Sequence, residues 1–256
     1  ISIEYIYAGD IFQVNLSQRF DAQLAVSPWE LHLRLRERNP APFAAYLHFS
    51  DMQVVSASPE RFVRATGPML QTRPIKGARR RDREEEEDRR LAEELLASAK
   101  DRAELTMIVD LERNDFGRVC SFGSVRTPDL FTLESYPTVH HLVATVTGEL
   151  KPGKTYVDLL RASLPGGSIT GAPKVRSMEI IDELEPMARS VYTGSIGYLG
   201  FNNRIDLNIA IRTFIIKGKD AYFQVGGGIV ADSRPEEEFI ETLDKAKALI
   251  ESLDSD

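Results

Sequence analysis

A chain of 256 residues with 42% hydrophobic and 28% charged residues can bury a sizeable core, as one large domain or two small ones. Its net charge of −7 excludes the broad basic field that nucleic acid recruits, so no nucleic-acid partner is expected. No apolar run approaches the ~20 residues of a membrane span, no signal peptide is visible, and the lone Cys120 excludes an internal disulfide framework, so a cytoplasmic chain without membrane contact is the expectation.

Taken in order, ISIEYIYAGD reads as the middle of a helix and begins at Ile1 rather than Met. The chain is therefore expected to be a fragment lacking an N-terminal region. QVNLSQRF alternates as a strand does. Ser27-Pro28-Trp29-Glu30 opens a helix with a capping-box pattern. FAAYLHF and MQVVSAS are separated only by Ser50-Asp51, which predicts an antiparallel hairpin. QTRPIKG follows, with Lys76 between a Pro-Ile pair and Gly77 in what reads as a loop. Such a lysine is either a solvated cation or a group aimed at a substrate. RRRDREEEEDRR mixes charge signs at helical spacing and reads as a solvated helix face. EEEEDRRLAEELLASAK, DRAELTMIVDLE, TYVDLLRASL, APKVRSMEIIDELE and PEEEFIETLDKAKALIESL read as helices; HLVATVTGEL, IAIRTFIIK and AYFQVGG read as strands. Strands in pairs with helices interspersed favour α+β over a parallel fold.

Three patterns carry candidate chemistry. Asp101 and Glu104, and again Glu238 and Glu241, stand three apart on helices, so each pair shares a face. If the two faces meet they offer oxygen ligands only, the preference of Mg²⁺; spacing alone favours ordinary surface acids. VGGGIVAD lets backbone amides approach an anion, but alone it ranks below a bulge or bend in a strand. GELKPGKT matches the phosphate-loop pattern of P-loop nucleotidases in full. Pro152 removes an N–H from the loop that should cradle phosphate, and the hairpins do not suit a parallel sheet, so a strand-to-helix turn ranks above it. The histidines at 32, 48, 140 and 141 lack zinc spacing, and His140 and His141 point to opposite faces of one strand.

In order along the chain, AGDIFQVNLSQRF, SASPERF, RPIKG, AELTMIVDLERNDFGRV, VHHLVATV, GGSITGAPKVRSMEIIDELEP, YTGSIGYLG, NIAIRT and GGGIVADSRPEEEFIET resemble the chorismate-binding enzyme family over essentially the whole length. The resemblance implies one chorismate-binding catalytic domain over residues 1–256, an α+β fold of the anthranilate synthase component I type. That fold is a four-layer α/β/β/α sandwich with two packed, mainly antiparallel sheets and the site between them. It implies Glu104 and Glu238 as direct Mg²⁺ ligands, with Asp101 and Glu241 holding metal-bound waters. Tyr192, Arg212 and the amides of Gly226 and Gly228 match carboxylate-binding positions, and Gly77, His141 and Ser168 match further substrate contacts. Glu60 matches the acid that protonates the departing C4 hydroxyl. Isochorismate-forming members carry a lysine base where this chain has Gln13, and anthranilate synthases usually carry alanine where it has Lys76. The pattern therefore implies the aminodeoxychorismate synthase branch of para-aminobenzoate and folate synthesis, with anthranilate synthase component I as the alternative. Lys76 would act as a covalent nucleophile, and a glutamine amidotransferase partner would supply ammonia. The family's usual PIKGT is PIKGA here, so Ala78 removes a hydroxyl expected near substrate.

Overall fold

The structure is a computed structural model describing residues 1–136 and 139–254. In chain order the elements are α1 (Ser2–Tyr7), β1 (Gln13–Gln23), α2 (Pro28–Arg38), β2 (Phe43–His48), β3 (Gln53–Ser58), β4 (Arg61–Thr66), β5 (Met69–Arg73) and β6 (Ile75–Arg80). They continue with α3 (Glu85–Ala97), α4 (Ala99–Gly117), β7 (Arg126–Ser135), β8 (Val139–Glu149), α5 (Tyr156–Ser163), β9 (Gly171–Ala172) and α6 (Lys174–Leu184). Last come β10 (Gly197–Gly200), β11 (Arg204–Asn208), β12 (Thr213–Lys217), β13 (Asp220–Ile229) and α7 (Pro235–Leu253). No described helix is long and apolar enough to cross a membrane.

The chain forms two compact units, each built on one antiparallel sheet. The first, Ile1–Glu60, Ile169–Ile196 and Asn208–Asp256, contains the order β2-β3-β12-β13-β1-β9. The expected hairpin is present as β2 against β3, with Phe43 opposite Ser58. Leu31 and Leu35 of α2 and Ala246 and Leu249 of α7 bury against Val55, Phe214, Phe223 and Val225 of the sheet. These helical residues stand four or three apart, as one buried stripe requires. Ile180 and Ile181 of α6 pack with Ile11 and Val14 in a second cluster.

The other unit, Arg61–Ser168 and Gly197–Leu207, contains β10-β11-β4-β5-β8-β6, with β7 also on β8. β8 has β5, β6 and β7 as neighbours and is buried along most of its length, which its run of apolar and β-branched residues allows. Leu105, Ile108 and Phe116 of α4 are likewise buried. Mixed elements with two antiparallel sheets bear out the α+β expectation.

Several local readings are corrected. Glu30 does not complete a capping box at α2. Ser27 Oγ accepts from the Glu30 N–H at 3.1 Å, but the Glu30 carboxylate turns to Arg34 Nε at 3.2 Å. The reciprocal box occurs at α5, between Thr155 and Asp158. That box disposes of the phosphate-loop reading. The Thr155 hydroxyl serves the cap, Lys154 pairs with Asp158 at 3.7 Å, and the Cys120 sulfur occupies the space a Cβ on Gly148 would need. Burial pushes the Cys120 thiol up to about 11, so it is an inert packing group. IAIRTFIIK becomes a strand only from Thr213. Before it, Thr193 N–H donates to Ala210 O at 2.8 Å and Ala210 N–H to Gly194 O at 2.9 Å, so a loop serves this backbone.

The charged run is not one solvated face. Arg79 and Arg80 lie on β6, α3 begins at Glu85, and Arg81 folds back to grip Asp88. Asp88 also accepts from the Asp82 N–H at 2.9 Å and contacts His140 Nε2 at 3.0 Å, while His140 Nδ1 lies 2.7 Å from Ser135 Oγ. The Arg81 guanidinium, then the Asp82 amide, hold the Asp88 carboxyl well below the usual carboxylate range. A lowered folded-state value means stabilisation that is full above the ordinary value of 3.8 and is lost as pH falls toward the folded value. Asp88→Asn is therefore expected to lower Tm near pH 6, with the gap to wild type closing below about pH 3. A pH-independent gap in thermal denaturation would show that the carboxylate charge is not what this network uses.

Candidate active site

Within the first unit the candidate residues gather around the glycine end of β13. β12 pairs with β13 only from Asp220 to Phe223, whereas β1 pairs with it as far as Ile229. Among the described strands, the segment from Val225 to Ile229 thus has a neighbour on one side only. Asn15 stands opposite Gly228 and Ser17 opposite Gly226. Both send their N–H groups away from β13, Asn15 to Thr170 O at 2.7 Å and Ser17 to Glu185 Oε1 at 2.9 Å. In an antiparallel ladder such residues form non-hydrogen-bonded pairs, and the partners' N–H and C=O also face away. The Gly226 and Gly228 amides therefore point out of the uncovered edge of β13. The Gly226 carbonyl faces the same way and accepts from Lys245 Nζ at 3.0 Å.

Tyr192 and Arg212 belong to the same neighbourhood. A Cβ built on Gly226 would lie 2.9 Å from the Tyr192 hydroxyl and 2.5 Å from Leu16 O, so only glycine admits this approach. Tyr192 is buried, and desolvation raises its hydroxyl far above the usual range. Arg212 has φ of +50°, a left-handed conformation rare for a side chain of its size. Burial depresses its guanidinium, and the charge of Glu60 opposes that shift. Glu60 itself is 5% exposed. A half-buried Arg, a buried Tyr hydroxyl and two outward amides are groups of the kind that hold a carboxylate. On α7, Glu238 is buried and accepts from Ser233 Oγ at 2.6 Å, and Glu241 meets Lys245 Nζ at 2.5 Å. Both acids line the other face of β13, since a Cβ on Gly227 would stand 3.2 Å from Glu238 Oε2 and 3.8 Å from Glu241 Oε1.

Within the second unit Lys76 is not in a loop. It is a residue of β6, opposite Leu142, and the ladder bulges at Gly77, whose φ is +74°. Lys76 Nζ lies 3.4 Å from Glu104 Oε2, with side chains 14% and 17% exposed. Asp101, one turn earlier on α4, meets Arg79 Nη2 at 3.5 Å. A Cβ on Gly77 would stand 2.8 Å from the Asp101 carboxyl and from Leu95. His141 Nδ1 is 3.4 Å from Gly77 O, and the ring is buried. Ser168 is buried, with no hydrogen-bond partner for its hydroxyl among the described residues.

The structure thus brings together Glu60, Tyr192, Arg212, Gly226, Gly228, Glu238 and Glu241 in one unit. It brings Lys76, Gly77, Asp101, Glu104 and His141 together in the other. The acids fit a hard cation by donor type: all are carboxylates, and one of each pair is mostly buried with a donor beside it. Within neither unit do three or more His, Cys, Asp or Glu side chains converge on a metal position among the described residues. Gln13 is fully buried, and neither atom of its carboxamide has a hydrogen-bond partner among the described residues.

Sequence reasoning placed Arg79 near Lys76 without a direction, and missed Lys245, Ser233 and Arg189. The Glu241–Lys245 spacing of four was a usable signal. The Arg79–Asp101 contact joins a strand to a helix and has no local signature.

Gly77→Ala is expected to destabilise the chain by about 1–3 kcal/mol, through backbone strain and collision with Asp101. Gly117→Ala, with nothing within 4 Å of its Cβ position, is expected to be near neutral. Chemical denaturation of the pair decides; equal stability would deny that the bulge is constrained.

A model of chorismate binding enzymes matches residues 2–251. The chain is 50% identical over 251 residues to aminodeoxychorismate synthase component 1 of Bacillus subtilis, covering 98% of this chain and 53% of that protein. It is 48% identical to anthranilate synthase component 1 of Aquifex aeolicus, covering 98% and 51%. The crystal structure of anthranilate synthase component I from Streptococcus pneumoniae superposes with a TM-score of 0.88 at 43% identity, covering 96% of this chain and 54% of that one. The chain spans about half the length of the curated relatives it matches. The match to the family model over nearly the whole chain, with the same fold in a solved relative, makes this chain a member of the chorismate binding enzyme family.

Proposed function

We propose that this chain carries the catalytic machinery of an aminodeoxychorismate synthase, aminating chorismate at C4 to give 4-amino-4-deoxychorismate. Relatives named aminodeoxychorismate synthase component 1, at about half identity, support the reading. The observation that carries it is Lys76, a largely buried amine 3.4 Å from the Glu104 carboxylate. Anthranilate synthase component I is the second reading, favoured by relatives of similar identity. Lys76, where those enzymes usually have alanine, weighs against it.

On this reading the two carboxylates of chorismate are the handles. Arg212, the Tyr192 hydroxyl and the Gly226 and Gly228 amides hold one. Glu104 and Glu238 would bind Mg²⁺ directly, with Asp101 and Glu241 on its waters. When bound, that ion supplies positive charge for the other carboxylate. Gly77 O, His141 and Ser168 complete the contacts. Lys76 nitrogen, which must be unprotonated to attack, forms a bond to C2. The ring double bond shifts, the C4–O bond breaks, and Glu60 gives its proton to the departing hydroxyl, which leaves as water. Ammonia then bonds to C4 and the C2–nitrogen bond breaks, returning the lysine. Gln13, a neutral carboxamide, cannot act as a base toward water, consistent with amination rather than hydration. The name component 1 of the relatives supports a second component, and a glutamine amidotransferase is the class that supplies ammonia. The single domain over residues 1–256 and the place on the para-aminobenzoate and folate route belong to the same proposal.

Glu104→Gln and Glu238→Gln are each expected to cut Mg²⁺-dependent turnover at least about 100-fold while circular dichroism stays unchanged. Normal turnover at limiting Mg²⁺ would contradict the ligand assignment.

Intact-mass analysis of a single turnover should show an adduct heavier than the chain by chorismate minus water, mapped to the peptide containing Lys76. Lys76→Ala should abolish it, and Lys76→Arg should not restore it, because guanidinium stays protonated. Wild-type rates of 4-amino product from Lys76→Ala, with no adduct in the wild type, would reduce Lys76 to an electrostatic contact.

A further inference from the structure

We infer that the buried Glu185–Arg189 ion pair is a positioning device that sets which way the Gly226 and Gly228 amides face, a role that rests on reading that edge as a carboxylate site. The pair follows α6 directly, and its side chains are only 6% and 13% exposed. Glu185 Oε1 accepts from the Ser17 N–H at 2.9 Å, Ser17 Oγ at 2.8 Å and Arg189 Nη2 at 2.6 Å, while Oε2 accepts from Arg189 Nε at 2.9 Å. Arg189 Nη2 also donates to Asn15 O at 2.6 Å, and Nη1 donates to Ile169 O at 2.8 Å. So the pair takes up the Ser17 N–H and the Asn15 C=O.

Those two groups fix the register of β1. With Asn15 and Ser17 turned toward the ion pair, they give nothing to β13. Their partners Gly228 and Gly226 are then left with outward amides. A slip of one residue would reverse the direction of every group on the strand. An apolar residue could fill the same volume but could not claim an N–H and a C=O of β1 together. The same guanidinium lies 5.5 Å from the centre of the Tyr192 ring, and the Tyr192 N–H donates to Arg189 O at 3.0 Å. The guanidinium that takes up the Asn15 carbonyl therefore also sits beside the Tyr192 ring. Lysine has neither the planar fork nor the reach to two carbonyls and a carboxylate at once.

The test compares Arg189→Lys, Arg189→Met and Ser17→Ala with wild type. Arg189→Lys is expected to stay folded and to raise KM for chorismate at least about 10-fold with kcat within about 3-fold, the mark of lost binding rather than lost chemistry. Mg²⁺ affinity, measured by calorimetry without substrate, should be unchanged. Ser17→Ala should shift KM in the same direction and less. Should Arg189→Met fail to fold, Arg189→Lys decides alone. An unchanged KM in folded Arg189→Lys, or a fall in kcat at constant KM, overturns the inference. A wild-type chain that binds no chorismate would sink the functional reading instead. In that case amide hydrogen exchange judges the positioning role. The Val225 and Gly227 amides, which face β1, should lose protection in Arg189→Lys, and unchanged protection rejects it.

Discussion

The register of β1 on β13 is the constraint on which the first unit's chemistry depends. Side chains and backbone groups alternate with a period of two, so one register decides three things together. The Gly226 and Gly228 amides face the edge that β12 leaves uncovered. The space over Gly226 goes to the Tyr192 hydroxyl, and Gly227 faces Glu238 and Glu241 on α7. Glycine is needed at 226 because a Cβ would meet both a carbonyl and that hydroxyl. Ahead of β12, Ala210 bonds to the Thr193–Gly194 loop, and Arg212, in its left-handed conformation, accepts from the Ala57 N–H at its carbonyl. The proposed anion site thus lies where regular pairing ends, in a stretch that carries backbone strain and desolvated side chains.

In the second unit the corresponding device is the bulge at Gly77. One extra residue lets β6 close against α4, where a side chain would strike Asp101 and Leu95. That approach sets Lys76 beside Glu104 and Arg79 beside Asp101. Each of the four acids proposed for the metal has a donor close by: Lys76, Arg79, Ser233 and Lys245. Donors at these distances restrict the orientation of the carboxylates they touch.

How much was legible in the sequence follows from the range of each interaction. The acid pairs were visible because helical spacing is local, and the glycine run because its composition is unusual. The β2–β3 hairpin was visible because two residues separate its strands. Lys76 was read as a loop residue because Pro74 and Gly77 are turn signals, yet Pro74 only separates β5 from β6 and Gly77 makes a bulge. The strand reading of IAIRTFIIK failed at its first half because loop backbone, distant in sequence, took those hydrogen bonds. The Asp88–His140 contact and the Glu185–Arg189 hold on β1 were illegible for the same reason: they join elements far apart in sequence. The assignment of roles to Glu60, Tyr192 and Arg212 came from family resemblance, since no spacing marks them.

The most direct test of the amide edge is a chorismate titration of the glycine-¹⁵N-labelled chain in the presence of Mg²⁺, followed by amide NMR. The Gly226 and Gly228 resonances are expected to move and saturate together, while Gly227, whose amide faces β1, moves far less. Saturable chorismate binding that shifts Gly227 and leaves Gly226 and Gly228 in place would contradict the account.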